Sequence, residues 1–139
     1  MTSFLHRISP ALLLRLGLGL MYVYSGIDFL VHPTAWLWAI GALPLPIKQM
    51  IATTIGTEKY LMLQGIGELV MAVVFLAWFL PKKLVGVVAA LATVEMAAIL
   101  LFVGLDAITF RDIGLLGAAG ALFVMSLSSR DSQTLSNRM

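Results

Sequence analysis

Read for where polar side chains interrupt it, the chain falls into long apolar runs separated by short, heavily punctuated segments. The first run extends from Pro10 to Val31. Ser9-Pro10 is a helix start, because serine offers a cap for the free amides and proline at the first helical position loses no hydrogen bond. His32-Pro33 ends the run, since the residue before proline is pushed out of helical geometry. At 1.5 Å per residue the run is ~33 Å long, enough to cross a ~30 Å hydrocarbon layer. A second run covers 58–80 and stops at Pro81, a third covers 84–105, and a fourth covers 110–127. The pair Lys82-Lys83 is expected to turn tightly between the second and third, which makes those two spans antiparallel neighbours. Thr109 and Asp112 have the spacing of a capping box at the head of the fourth. The pattern predicts an all-α fold, a polytopic four-transmembrane-helix bundle.

Residues 34–56 break the pattern. They hold Trp36 and Trp38, then Leu43-Pro44-Leu45-Pro46, then Lys48 and Gln49. The prolines forbid one continuous span, and paired tryptophans suit the headgroup region. Two short interfacial pieces or a shallow re-entrant hairpin are expected, in either case a lid over one end of the bundle. The polar tail 128–139 is expected to be disordered. The first run lacks a small-residue cleavage site and reads as a retained span.

Composition explains why lipid must be the solvent. Of 139 residues, 60% are hydrophobic and 12% charged, against ~25% charged in soluble domains. A water-soluble fold of this size buries only about two-thirds of its unfolded surface and could not hide so much apolar area. The net charge of +2 is spread along the chain, which argues against nucleic acid as a partner. There is no cysteine, so thiol chemistry and thiolate metal sites are excluded, and no spacing suits zinc or copper. With only His6 and His32, haem ligation across the bundle is not expected. Arg7, Lys82, Lys83, Arg130 and Arg138 fall on one side of this topology and Lys48, Lys59 and Arg111 on the other. That bias places both termini in the cytoplasm and the protein in the cytoplasmic (inner) membrane.

Charged residues inside lipid cost a few kcal/mol each on insertion scales, and those that remain usually face the bundle interior. Glu68 stands thirteen residues before Pro81 and Glu95 fourteen after it. Closely matching distances along the two arms of a hairpin predict two carboxylates at nearly one depth, near the midplane. Two ionised carboxylates so placed repel, so the pair requires a shared proton or a cation. Arg15 is the basic residue embedded in a span, ~7–10 Å nearer the cytoplasmic side by helical rise. Its face continues through Gly19, Tyr22 and Gly26, and Gln64, Gly65, Glu68 and Ala72 form a comparable stripe on the second span. Tyr22 is also of a type that commonly serves packing, as are Tyr24, Trp78 and Phe79. Gly114, Gly117, Ala118 and Ala121 would let the fourth span pack closely. The expected buried polar site is therefore Arg15, Glu68, Glu95, Tyr22 and Gln64. It would bind a head group or relay protons, or it would be a register-fixing network with no ligand. A second, outer polar cluster comprises Asp28, His32, Asp106, Arg111 and Asp112. Arg111 is expected to pair with Asp28 or Asp106, and Asp112 to act as a cap. No catalytic set is recognisable.

Three stretches carry a family resemblance: Arg15-Leu16-Gly17-Leu18-Gly19 leading to Tyr24-Ser25-Gly26, then Gly65-Ile66-Gly67-Glu68, then Phe110-Arg111-Asp112-Ile113-Gly114-Leu115-Leu116-Gly117. In order and spacing the chain resembles the DoxX and DoxX-like family of small four-helix membrane proteins, from about Ser9 to Leu127. Asp28 stands where many relatives carry a lysine. The resemblance implies a four-helix bundle with a lid after the first helix. It also implies a membrane subunit or anchor of a quinone-linked or stress-related oxidoreductase system, not catalytic alone, with a quinone as the cofactor and a membrane or soluble oxidoreductase as the partner. Two other functions suit the residues: a proton-coupled carrier working as a homo-oligomer, and a structural or assembly protein without chemistry.

Overall fold

The computed structural model describes residues 9–136, with side chains from 9 to 128. His6, Arg7 and Arg138, used above for orientation, lie outside the described residues, as does the side chain of Arg130. Helix α1 spans Pro10–Val31, the run expected from its proline boundaries. Ser9 caps it with its backbone: the Ser9 carbonyl accepts the amides of Leu12 and Leu13, and the serine side chain makes no cap bond. After a 3-10 turn over Pro33–Trp36, two short helices follow, α2 at Leu37–Ala42 and α3 at Leu45–Thr54. They are broken at Leu43-Pro44, where the residue before a proline cannot stay helical. Lys48 Nζ donates to the Gly41 carbonyl at 2.7 Å and ties the two pieces together. Gly56, at φ 87°, makes the left-handed turn into α4, which spans Thr57–Leu76.

The connection to the next helix departs from expectation. Helix α4 stops at Leu76, and 77–81 form the turn. Lys82 and Lys83 are the first residues of α5, which runs over Lys82–Phe102. Pro81 at the N-cap fixes this arrangement, because proline suits a helix start and not its interior. Beyond Gly104, a 3-10 turn at Thr109–Arg111 leads into α6 at Asp112–Ser136. That helix continues past Leu127 through the segment expected to be a disordered tail, which contains neither proline nor glycine to stop it.

The helices pack as two pairs. Helix α1 lies along α4, and α5 lies along α6; contacts between the pairs are far fewer. The α1–α4 crossing is tightest where Gly26 meets Gly65. A methyl group built on Gly26 would sit 2.8 Å from the Gly65 carbonyl oxygen, and one on Gly65 would sit 2.8 Å from that of Gly26. Two facing glycines thus let backbone touch backbone. The core gathers Leu18, Tyr22, Ala72, Phe75, Val88, Ala89, Ala92, Met96, Ala119 and Leu122. The expected small-residue face of α6 is turned outward: Gly114, Gly117 and Ala121 are exposed, and Ala119 and Leu122 face the core instead.

Among the described residues, four helices are long and apolar enough to cross a membrane, and no more than 33% of each spanning stretch is buried within the chain. Leu13, Leu20, Val70, Val73, Val94 and Leu101 stand outward. Apolar surface on that scale requires an apolar solvent. The chain is a multi-pass, all-α membrane protein whose outer faces meet the lipid bilayer.

Candidate functional site

The buried polar site is assembled from both helix pairs. Tyr22 on α1 is fully buried, its ring stacked on Phe75 at 5.9 Å between centroids. Its hydroxyl donates to Glu95 Oε2 on α5 at 2.7 Å. Gln64 on α4 donates through Nε2 to the other Glu95 oxygen, Oε1. Both oxygens of Glu95 are therefore held by donors from the opposite pair. Glu68, one turn along α4 from Gln64, is 5% exposed, and Ser25, Gln64 and the charge of Glu95 act on it. Its Oε2 is buried and has no hydrogen-bond partner. A buried carboxylate oxygen without a donor is costly, and it is the natural place for a proton.

Glu95 sits level with Gln64: each is seven residues from the lid end of its helix, Thr57 for α4 and Phe102 for α5. Glu68 is a turn deeper, ~6 Å by helical rise. The expected equal depth of the two carboxylates assumed both arms to be helical up to Pro81. The five non-helical residues 77–81 belong to the α4 side alone, and this offsets the register.

Arg15 does not join the carboxylates. It donates to backbone carbonyls at the end of α4, from Nε to Phe75 at 2.8 Å and from one terminal nitrogen to Ala77 at 2.6 Å and Val74 at 3.3 Å. The last carbonyls of a helix lack intrahelical partners and carry the negative end of its dipole, so a nearby cation is drawn to them. The expected Arg–Glu–Glu network is replaced by an acidic cluster of Tyr22, Gln64, Glu68 and Glu95.

The outer cluster divides. Asp28 accepts from Trp36 Nε1 at 2.9 Å and lies 3.0 Å from His32 Nδ1, while Phe29 stacks on Trp36 at 4.4 Å. Asp28 is thus the residue that fastens the lid to α1. Asp106 accepts the amides of Ile108 and Thr109, each at 2.7 Å, and its own amide donates to Thr109 Oγ1 at 2.9 Å. This reciprocal pair is the capping box expected of Thr109 and Asp112, displaced three residues upstream. The Thr109 and Ile108 amides hold the Asp106 carboxylate below the usual aspartate range. Arg111 donates to the Ile108 carbonyl and forms no ion pair with Asp28 or Asp106 among the described residues. Asp112 is the first residue of α6 and is half-buried.

Sequence reasoning missed Ser25, which acts on Glu68. Ser25 is signalled by its position three residues after Tyr22 on one helical face. Among the described residues no group of three or more metal-ligating side chains could hold a metal ion. The cluster thus brings two carboxyls, a phenol and an amide together inside the bundle.

No protein-family model matches this chain, and neither a curated protein nor a solved structure shows significant similarity to it.

Proposed function

We propose that this is a DoxX-like protein of the cytoplasmic membrane, both termini cytoplasmic, whose buried acidic cluster binds and releases protons as a membrane subunit of a quinone-linked oxidoreductase system. One observation carries the proton assignment. Glu68 and Glu95 interact inside the bundle with no basic side chain bonded to either among the described residues, and one oxygen of Glu68 is open. Carboxyls in that setting are neutralised by a proton rather than by a fixed cation. The oxidoreductase assignment is supported by the sequence resemblance alone. Reduction of a quinone to a hydroquinone consumes two electrons and two protons; this chain, without cysteine, offers groups for the protons and leaves the electrons to a partner. The cluster itself suits a quinone head group poorly, because Arg15 lies apart on backbone carbonyls and the Tyr22 hydroxyl and Gln64 Nε2 are each bonded to Glu95. We therefore place proton exchange, and not quinone binding, at this site.

Infrared difference spectra of the purified protein, recorded while pH is cycled, test the site. A protonated-carboxyl band that appears and disappears, and that Glu68→Gln or Glu95→Gln removes, is expected. A spectrum without any titrating carboxyl band sinks the proposal. Purification in mild detergent tests the assignment to a redox system: an oxidoreductase or a quinone should be retained. A second reading, a proton-coupled carrier, is favoured by the open Glu68 oxygen. It predicts proton flux into vesicles holding this chain alone, abolished by Glu68→Gln.

A further inference from the structure

Away from the acidic cluster, α5 and α6 leave a groove of about 380 Å³ on their outer face. Its walls are Val87, Leu91 and Val94 of α5 with Phe123 and Leu127 of α6, and Lys83 stands at one end. Gly86 and Ala90 form a shallow floor, and a side chain on Gly86 would collide with Ser126. From Lys83 to Val94 the groove follows α5 for eleven residues, ~16 Å along the axis, which is about half of the ~30 Å hydrocarbon layer. It begins at the polar end of a spanning helix and closes near mid-membrane. Lys82 and Lys83 at its mouth are exposed, and no hydrogen bond or ion pair involves either among the described residues.

We propose that this groove is a binding site for an anionic phospholipid of the surrounding bilayer, one acyl chain lying between α5 and α6 and its phosphate held by Lys83, with Lys82 adding to the positive field. Length and charge both select this occupant. A channel one leaflet deep accommodates one acyl chain, and a cation at its membrane-surface end complements a phosphate group. A zwitterionic lipid fills the apolar part equally well and gains less at the mouth, so preference for negative charge is the signature of the site. The lipid contacts the α5–α6 pair alone, on the side of that pair that α1 and α4 do not cover.

Native mass spectrometry of the detergent-released protein, titrated with phosphatidylglycerol and with phosphatidylcholine, tests this. The expected result is tighter retention of phosphatidylglycerol, a preference that Lys83→Gln lowers by about fivefold, the weight of one lysine at a membrane surface. Ala90→Trp, which fills the groove and leaves both lysines in place, should reduce retention of both lipids. Equal binding of the two lipids by the unaltered protein, or a preference untouched by Lys83→Gln, overturns the proposal. Lys83 is exposed and makes no hydrogen bond or ion pair among the described residues, so its replacement is expected to leave folding intact; the helical content of each variant, read by circular dichroism, serves as the check.

Discussion

Tyr22 donates a hydrogen bond from its hydroxyl to Glu95 and stacks its ring on Phe75, and the two contributions can be separated. Tyr22→Phe keeps the stacked ring and removes the donor, leaving a Glu95 oxygen short of one partner. A loss of about 1–3 kcal/mol is expected, read as a lower thermal midpoint in detergent, together with a displaced Glu95 carboxyl band in the infrared spectrum; an unchanged midpoint and band would show that the hydroxyl matters to neither. At Asp106 the relevant variable is pH. Because two amides hold its folded-state pKa below the usual aspartate range, its contribution is present in full above that range and is lost as pH falls through the depressed value. Proteolysis of the 103–109 segment should therefore quicken at strongly acid pH, and Asp106→Ala should make it fast at every pH. Both roles belong to residues that the sequence marks as polar and near a helix end or face. Tyr22, Gln64 and Glu95 are expected in one buried site and do meet there, whereas the pairing of Asp106 with Thr109 was not legible.

Among the elements, α1 was the most legible, since a proline stands at each boundary and its ends Pro10 and Val31 follow from them. The lid was legible for the same reason, broken at Pro44 between α2 and α3. Hydropathy alone placed the ends of α4 and α5 less well: the apolar residues Trp78, Phe79 and Leu80 continue the pattern while the backbone has already left the helix. The guanidinium of Arg15 caps the end of α4, taking the carbonyls of residues 74, 75 and 77. Such a cap cannot be seen in the segment's own sequence, because it comes from another helix. Arg15→Gln should fray that turn, at a cost on the order of 1–3 kcal/mol, with faster amide exchange confined to residues 76–80; exchange that rises evenly over the whole chain would instead mean general loosening. The α1–α4 crossing allows a paired comparison. Gly26→Leu drives a side chain into the Gly65 carbonyl and Leu69 and should cost about 1–3 kcal/mol through overpacking. Gly17→Leu, on the same helix with open space around it, should change the thermal midpoint little.

For the whole molecule, the chain's apolar content and its four spans identified the solvent, and the fold agrees with an all-α bundle of four membrane-crossing helices. The pairing of those helices was not legible. Adjacency along the chain suggested that the second and third spans would be the intimate neighbours, yet the long contacts join the first with the second and the third with the fourth. The turn at 77–81 is long enough to let α5 step away from α4, and the glycine pair 26/65 gives α1 the closer fit. The outward placement of Gly114 and Gly117 follows from the same choice, since Ala119 and Leu122 are the residues that meet α5 and the core.

This division into pairs gives the acidic cluster a mechanical character. Tyr22, Gln64 and Glu68 ride on one pair of helices and Glu95 on the other, and the two hydrogen bonds to Glu95 both cross the seam. The cluster is a clasp between two halves that otherwise touch sparingly. Whatever alters the hydrogen bonding of Glu95 alters the grip of one half on the other, and any sliding of the halves moves Glu95 relative to its two donors. Because no native thiol interferes, a cysteine placed on each side of the seam and joined by a disulfide would lock the two halves together.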